Sequence, residues 1–259
     1  MVEICQTVLP VKPWAEERTR RLPGLNPVAP GEWLQMDDAY GAQMAHRVRL
    51  MTDKGAAVVR LDPSARPAAE ELLDRVLEEI EGKDGFQRHG DRITCPDGRV
   101  VKADRSRPLE TCGALVQEDL VLMQKRGEEH VLTGAVLCFP ASWTLSQKFM
   151  KPMIAIHVPV AAYTADIARR VQRLFDGIRV GRPMWRANQL TYGDPELHQP
   201  RREEDRRSRE ITGPKWKRVE RQSMLRLAKS DAVVFSIHTY VVPFSVLSDE
   251  DLHLLGETR

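Results

Sequence analysis

The chain has 259 residues, 42% of them hydrophobic and 29% charged, with a formal net charge of +2. That length and composition suit a folded protein with a sizeable core. A charge so near balance gives no drive toward nucleic acid or an anionic membrane surface, and no apolar run is long enough to span a bilayer.

Five prolines before residue 31, Pro10, Pro13, Pro23, Pro27 and Pro30, predict an extended arm over residues 1–30. The remainder, 31–259, is read as one α+β domain with a helical part at 31–82 and a sheet-bearing part at 86–245. From about Glu32, the residues Trp33, Met36, Tyr40, Met44, Val48 and Met51 recur at helical spacing. His46 falls off that stripe and is expected to be solvated. A second helix is expected near Pro67, with Leu72, Leu73, Val76, Leu77 and Ile80 inward and Glu70 and Glu71 in its first turn. The stretch from Ile93 to Val101 reads as a hairpin closed by Pro96-Asp97-Gly98.

Two further strands are expected at 120–123 and 131–139, joined by a polar turn at Gly127. A short helix at 142–150 and a longer one at 164–178 follow. The longer one takes Thr164 as its cap and turns Ile167, Val171, Leu174, Phe175 and Ile178 inward. Residues 183–192 alternate as a strand, with Arg186 on the face of Met184, Asn188, Leu190 and Tyr192. A charged loop spans 193–215, then strands near 216–223 and 232–242, then a helix opened by Ser248. Helices first and strands later argue for an antiparallel sheet with flanking helices.

Cys5, Cys95, Cys112 and Cys138 are scattered and form no Cys-x-x-Cys pair. They read as reduced, mostly buried thiols, and no secretory signal opens the chain, so a cytoplasmic protein is expected. His157, between Ile156 and Val158, is either a core histidine or a metal ligand. Arg186, mid-strand between apolar neighbours, is either solvent-facing or a pocket cation for a carboxylate. Glu220 and Arg221 point to opposite sheet faces. His238, on a face with Ser236 and Tyr240, is a second candidate ligand or part of a wet polar face.

Several stretches resemble one family: Glu32-Trp33-Leu34 with Asp38 and Tyr40; Leu115 to Asp119; Cys138-Phe139-Pro140 with Trp143, Lys148, Pro152, Ile156-His157 and Pro159-Val160. Gly181-Arg182-Pro183 with Trp185-Arg186 and Asn188, Glu196-Leu197-His198, and Arg218 to Gln222 continue the series. In order and spacing they are similar to the haem-binding catalytic subunit of the haem-dependent oxidative N-demethylases, from about Lys12 to Phe244. The resemblance implies a PAS-like fold, a b-type haem (heme b), oxygen use, and demethylation of a small amine with release of formaldehyde. It implies a partner reductase carrying flavin and an iron–sulfur centre, and folate-binding subunits for the one-carbon product. His157 becomes the axial ligand under this resemblance. Lys148 and Arg221 become propionate contacts, and Trp143 and Tyr163 the pocket wall. Arg186 and Glu220 become polar groups beside substrate or oxygen. The charged loop becomes an exposed, protease-sensitive surface for the reductase. Gln189, Ala161 and His238 depart from the family pattern and are expected near the pocket. The alternative reading is a non-catalytic PAS-like sensor of haem or a small ligand.

Overall fold

The computed structural model describes residues 4–20, 24–157, 165–205 and 211–257, apart from the side chains of Arg20, His157 and residues 165–168. The arm carries α1 (Glu17–Arg20) and a two-residue strand, β1 (Asn26–Pro27). Then come α2 (Tyr40–Lys54), β2 (Val59–Leu61) and α3 (Arg66–Glu81). A small sheet of β3 (Gln87–His89), β4 (Arg92–Thr94) and β5 (Val100–Lys102) precedes α4 (Pro108–Leu115). The larger sheet begins with β6 (Asp119–Arg126) and β7 (Glu129–Val136). Three helices interrupt it: α5 (Leu145–Lys148), α6 (Met153–His157) and α7 (Ala165–Gly177). It resumes with β8 (Met184–Tyr192), β9 (Trp216–Arg226) and β10 (Val233–Pro243), and α8 (Asp249–Leu255) follows.

The order across the large sheet is β1-β8-β9-β10-β6-β7-β2, and neighbouring strands are antiparallel. Numbered along the chain, its five long strands run two-one-five-four-three, with α5 to α7 inserted between the second and third. This is the α+β, PAS-like arrangement expected.

Alternation along each strand divides the core. One face meets α2, α3 and α4 through Leu72, Leu73, Val76, Leu120, Leu122 and Leu225. The other meets α5, α6 and α7 through Val121, Met123, Leu137, Phe175 and Met224. Each such side chain contributes about 1.5–3 kcal/mol when fully buried. The arm and α8 close a third cluster around Trp14, Val219, Tyr240 and Leu252. Ser248 caps α8 in a capping box with Asp251. Close approach of α4 to β7 explains Gly113, where a Cβ would lie 2.6 Å from Cγ2 of the stiff Val136 side chain.

Two expectations change. The first long helix opens at Tyr40, because Trp33 and Leu34 are buried in a bend that precedes it. Trp33 Nε1 donates to Ser236 Oγ at 2.9 Å, and Arg221 donates to the Trp33 carbonyl at 3.1 Å. The Trp33–Met36–Tyr40 spacing mimicked a helical stripe, but Trp33 docks on the sheet. The helix expected at 142–150 is only α5, since Ser142 and Met150 flank it with φ of 65° and 60°, outside the helical basin. His157 ends α6, a second short helix that was not expected. The expected cap Thr164 and the side chain of Ile167 lie outside the described residues.

Asp119 shapes the exit from β7. Its carboxylate accepts from Cys138 N at 2.7 Å and Phe139 N at 2.9 Å, and pairs with the fully buried Arg47 at 2.7 Å. Two amide donors and one guanidinium satisfy a charge that burial would otherwise penalise. The turn leading to Trp143 is thereby fixed. No helix among the described residues is long and apolar enough to cross a membrane.

Candidate functional site

The register of β8, β9 and β10 builds two cross-strand rows on the face toward α5, α6 and α7. Arg186 lies beside Gln222, which lies beside Ile237; Asn188 lies beside Glu220, which lies beside Thr239. Met184, Met224 and Phe235 continue this face and pack with Trp143, Phe149 and Ile156. A sheet interior covered by helices is normally apolar on such a face. Here it turns polar, with Glu220 and Thr239 buried and Arg186, Asn188 and Gln222 half-buried.

Glu220 accepts from Arg218 Nε at 3.3 Å and from Gln222 Nε2 at 3.1 Å. Arg218 is held in turn by the carbonyls of Leu197, at 3.0 Å, and Phe139. Arg186 is different. Its Nε is buried and has no hydrogen-bond partner among the described residues, and the same is true of Thr239 Oγ1. Burial pulls the Arg186 pKa down, with the Glu220 charge opposing. A buried guanidinium donor without an acceptor is costly, so a partner from outside the described side chains, ordered water or a bound group, is expected there.

Trp143 is half-buried in the apolar cluster beside these rows. Lys148 is buried, but its ammonium is engaged by the Ile156 carbonyl and by Glu203 Oε1 at 2.6 Å. Arg221 lies on the opposite sheet face. It donates to the carbonyls of Glu32, at 2.9 Å, and Trp33, and stacks over Trp185 at 5.1 Å. The structure therefore brings Arg186, Glu220 and Trp143 to one face, and Arg221 does not join them. Tyr163, like the His157 side chain, lies outside the described residues.

Comparison with protein families matches residues 24–257 to the family described as haem-dependent oxidative N-demethylase, alpha subunit-like. The chain belongs to that family.

A haem-dependent oxidative N-demethylase-like chain raises the question of an axial ligand, and the described histidines answer much of it. His238 is buried on the face opposite Arg186. Its Nδ1 meets Glu118 Oε1 at 3.1 Å and its Nε2 meets Asp37 Oδ2 at 2.9 Å. Burial alone would lower its pKa, but hydrogen bonds and charge from Asp37 and Glu118 raise it to about 9. An imidazolium donating from both nitrogens has no lone pair for a metal, so His238 is not a ligand and its face is not wet. Gln189 shares that opposite face, so neither of these departures from the family pattern lies among the polar rows; Ala161 is outside the described residues.

His130 is fully buried, with Nδ1 2.7 Å from Gln172 Nε2, and burial lowers its pKa. His46, expected to be solvated, instead pairs with Glu196 Oε1 at 2.9 Å and stacks on Phe139. The His46 hydrogen bond is the main cause holding Glu196 at about 2. His198 Nδ1 lies 2.7 Å from the Cys138 carbonyl. Only the Glu196-Leu197-His198 motif hinted at this cluster; its pairing with His46 spans 150 positions. Cys138 is an inert core thiol, raised by burial to about 12. No group of three or more His, Cys, Asp or Glu that could hold a metal ion occurs among the described residues.

Proposed function

We propose that this chain is the haem-binding, oxygen-using subunit of an oxidative N-demethylase, acting on a small N-methyl amine and releasing formaldehyde. The observation that carries the reading is the buried Nε of Arg186, which has no partner among the described residues, within a polar floor under apolar walls. A b-type haem needs an axial ligand, an apolar slot and cations for its propionates. His157 would be the axial ligand, from the end of α6. Trp143 and Phe235, with Tyr163, would wall the ring. Arg186 would meet a propionate carboxylate, the acceptor its Nε lacks. Lys148 and Arg221 are not proposed for that role, because carbonyls and Glu203 already occupy them.

When bound, haem supplies oxygen activation at its iron. The residues of this chain do the rest. Glu220, steadied by Arg218 and Gln222, holds the substrate ammonium, since a buried cation needs a carboxylate. Thr239 Oγ1 offers a hydroxyl beside it. Trp143 and the Met184–Phe235 side of the floor exclude water. The net reaction takes up oxygen, two electrons and two protons, and returns demethylated amine, formaldehyde and water. The electrons require a donor, for which a flavin and iron–sulfur reductase is the proposed partner. Folate-binding subunits would take the one-carbon product, in keeping with a family described as an alpha subunit. Four buried free thiols fit a reducing, cytoplasmic setting.

Haem-loaded protein given an N-methyl amine and a chemical reductant is expected to release formaldehyde. Glu220→Gln should raise KM about tenfold or more, the cost of a lost charge-assisted contact. Ferrous protein that binds carbon monoxide stably, yet yields no aldehyde from a panel of methylamines, would identify a haem sensor instead.

A further inference from the structure

Lys148 stands at the end of α5 with its side chain only 7% exposed. A lysine ammonium has three donors and strong hydration to lose, so each partner matters. One partner is the carbonyl of Ile156, which belongs to the peptide group joining Ile156 to His157. That carbonyl lies in the final turn of α6, where helix carbonyls lack intrahelical N–H donors of their own. The helix has five residues, too few to be stable alone, so tertiary contacts must fix its end. The turn before it is already clamped to β7: Met150 N donates to the Leu132 carbonyl at 2.8 Å, and Leu132 N to the Lys151 carbonyl at 3.2 Å. Lys148 supplies the matching clamp at the far end.

Its other partner is Glu203 Oε1, at 2.6 Å and 32% exposed. Glu203 belongs to the charged loop, and the loop is docked on α5 around it. Gln147 Oε1 accepts from Glu203 N at 3.3 Å, and Gln147 Nε2 donates to Glu204 Oε2 at 3.3 Å. Beyond Glu203, the neighbours Arg202, Glu204 and Asp205 are exposed. The loop thus has one surface open to another molecule and one partly exposed carboxylate paired with the buried Lys148 ammonium.

We infer that Lys148 is a positioning residue that fixes the peptide leading into His157, and that Glu203 couples the state of the charged loop to how His157 is presented. The inference rests on the reading of His157 as the axial ligand. A partner engaging residues 202–205 and drawing Glu203 outward would leave the Lys148 ammonium buried with one acceptor, and loosen the His157 backbone. The loop is then a lever on the metal's environment as well as a surface.

The test uses the full chain loaded with haem: wild type, Lys148→Met, Lys148→Arg, Glu203→Gln and His157→Ala. The ferric spectrum reports spin state, and transfer to an excess of a haem-scavenging globin reports the rate of haem loss. Lys148→Met is expected to lose haem about tenfold faster and to shift the spectrum, the usual scale for groups that orient a metal ligand. Glu203→Gln should shift both readouts the same way by less, and Lys148→Arg should restore most of the wild-type behaviour. A wild-type spectrum and rate in both Lys148→Met and Glu203→Gln, with His157→Ala altered, overturns the coupling and leaves the ligand reading standing. An unchanged spectrum in His157→Ala overturns both. If Lys148→Met does not fold, Glu203→Gln decides alone, since its partly exposed carboxylate is replaced by an amide of the same shape.

Discussion

Replacing His238 with alanine is expected to cost about 3–5 kcal/mol of folding stability, because it strands the buried Glu118 carboxylate and the half-buried Asp37 carboxylate that the imidazolium now neutralises. Asp37 and Glu118 flank the ring, Tyr240 packs on it at 4.6 Å, and Arg221 is its cross-strand neighbour. Asp37 also accepts from Gln6 Nε2 at 2.8 Å and Gln117 Nε2 at 2.9 Å, so the loss would reach the arm. The same pairing gives stability a pH dependence. The His238 pKa is raised from 6.5 to about 9, so its contribution is complete below pH 6.5 and is lost as pH rises toward 9. Linkage puts that loss at about 3 kcal/mol. Burial pushes Asp37 up, yet its hydrogen bonds, led by His238, leave it below the ordinary carboxylate value. Its contribution is present above that value and fades in acid. Urea unfolding across pH 6 to pH 9.5 should show the alkaline decline in wild type. His238→Arg, whose charge does not titrate in this range, should abolish the decline and cost at most about 1–3 kcal/mol for its larger volume. An unchanged alkaline slope in that variant would refute the assignment.

Arg186→Met is expected to do the opposite to stability and more to binding. Without haem, removal of a buried donor that lacks an acceptor should leave the fold equally stable, or more stable by about 1–3 kcal/mol. With haem, loss of the proposed propionate contact should weaken affinity about tenfold to a hundredfold, the scale of a hydrogen bond to a charged group. A site that is costly when empty and favourable when filled follows from the trade between stability and function. Thermal unfolding without haem and equilibrium haem titration check the two halves separately. A variant that binds haem like wild type would remove Arg186 from the propionate role.

The alternation of β8 was legible in the sequence, which is why Arg186 fell on the correct face with Met184 and Asn188. The inward face of α3, the hairpin around Gly98 and the capping of α8 were legible for similar reasons: local spacing and turn chemistry decide them. The non-helical course at Trp33 was not, because a residue docked on a sheet can fall at a helical interval from the helix that follows. Nor was α4, whose short apolar run around Gly113 offers little periodicity. The divided fate of the basic residues was the largest omission. Lys148, Arg186, Arg218 and Arg221 look alike in sequence, yet three have carbonyl or carboxylate partners far along the chain, while the buried Nε of Arg186 has none among the described residues. Polar satisfaction is a property of the assembled fold.

The central claim is that haem binds on the Arg186–Glu220 face with His157 as its iron ligand. Titrating ferric haem into the purified chain and following the Soret region tests it most directly, with His157→Ala and His238→Arg alongside. The expected result is saturation near one haem per chain, with a weakened and spectrally altered complex in His157→Ala and an unchanged one in His238→Arg. A wild-type chain that develops no Soret complex, or a His157→Ala chain with the wild-type spectrum and affinity, would contradict it.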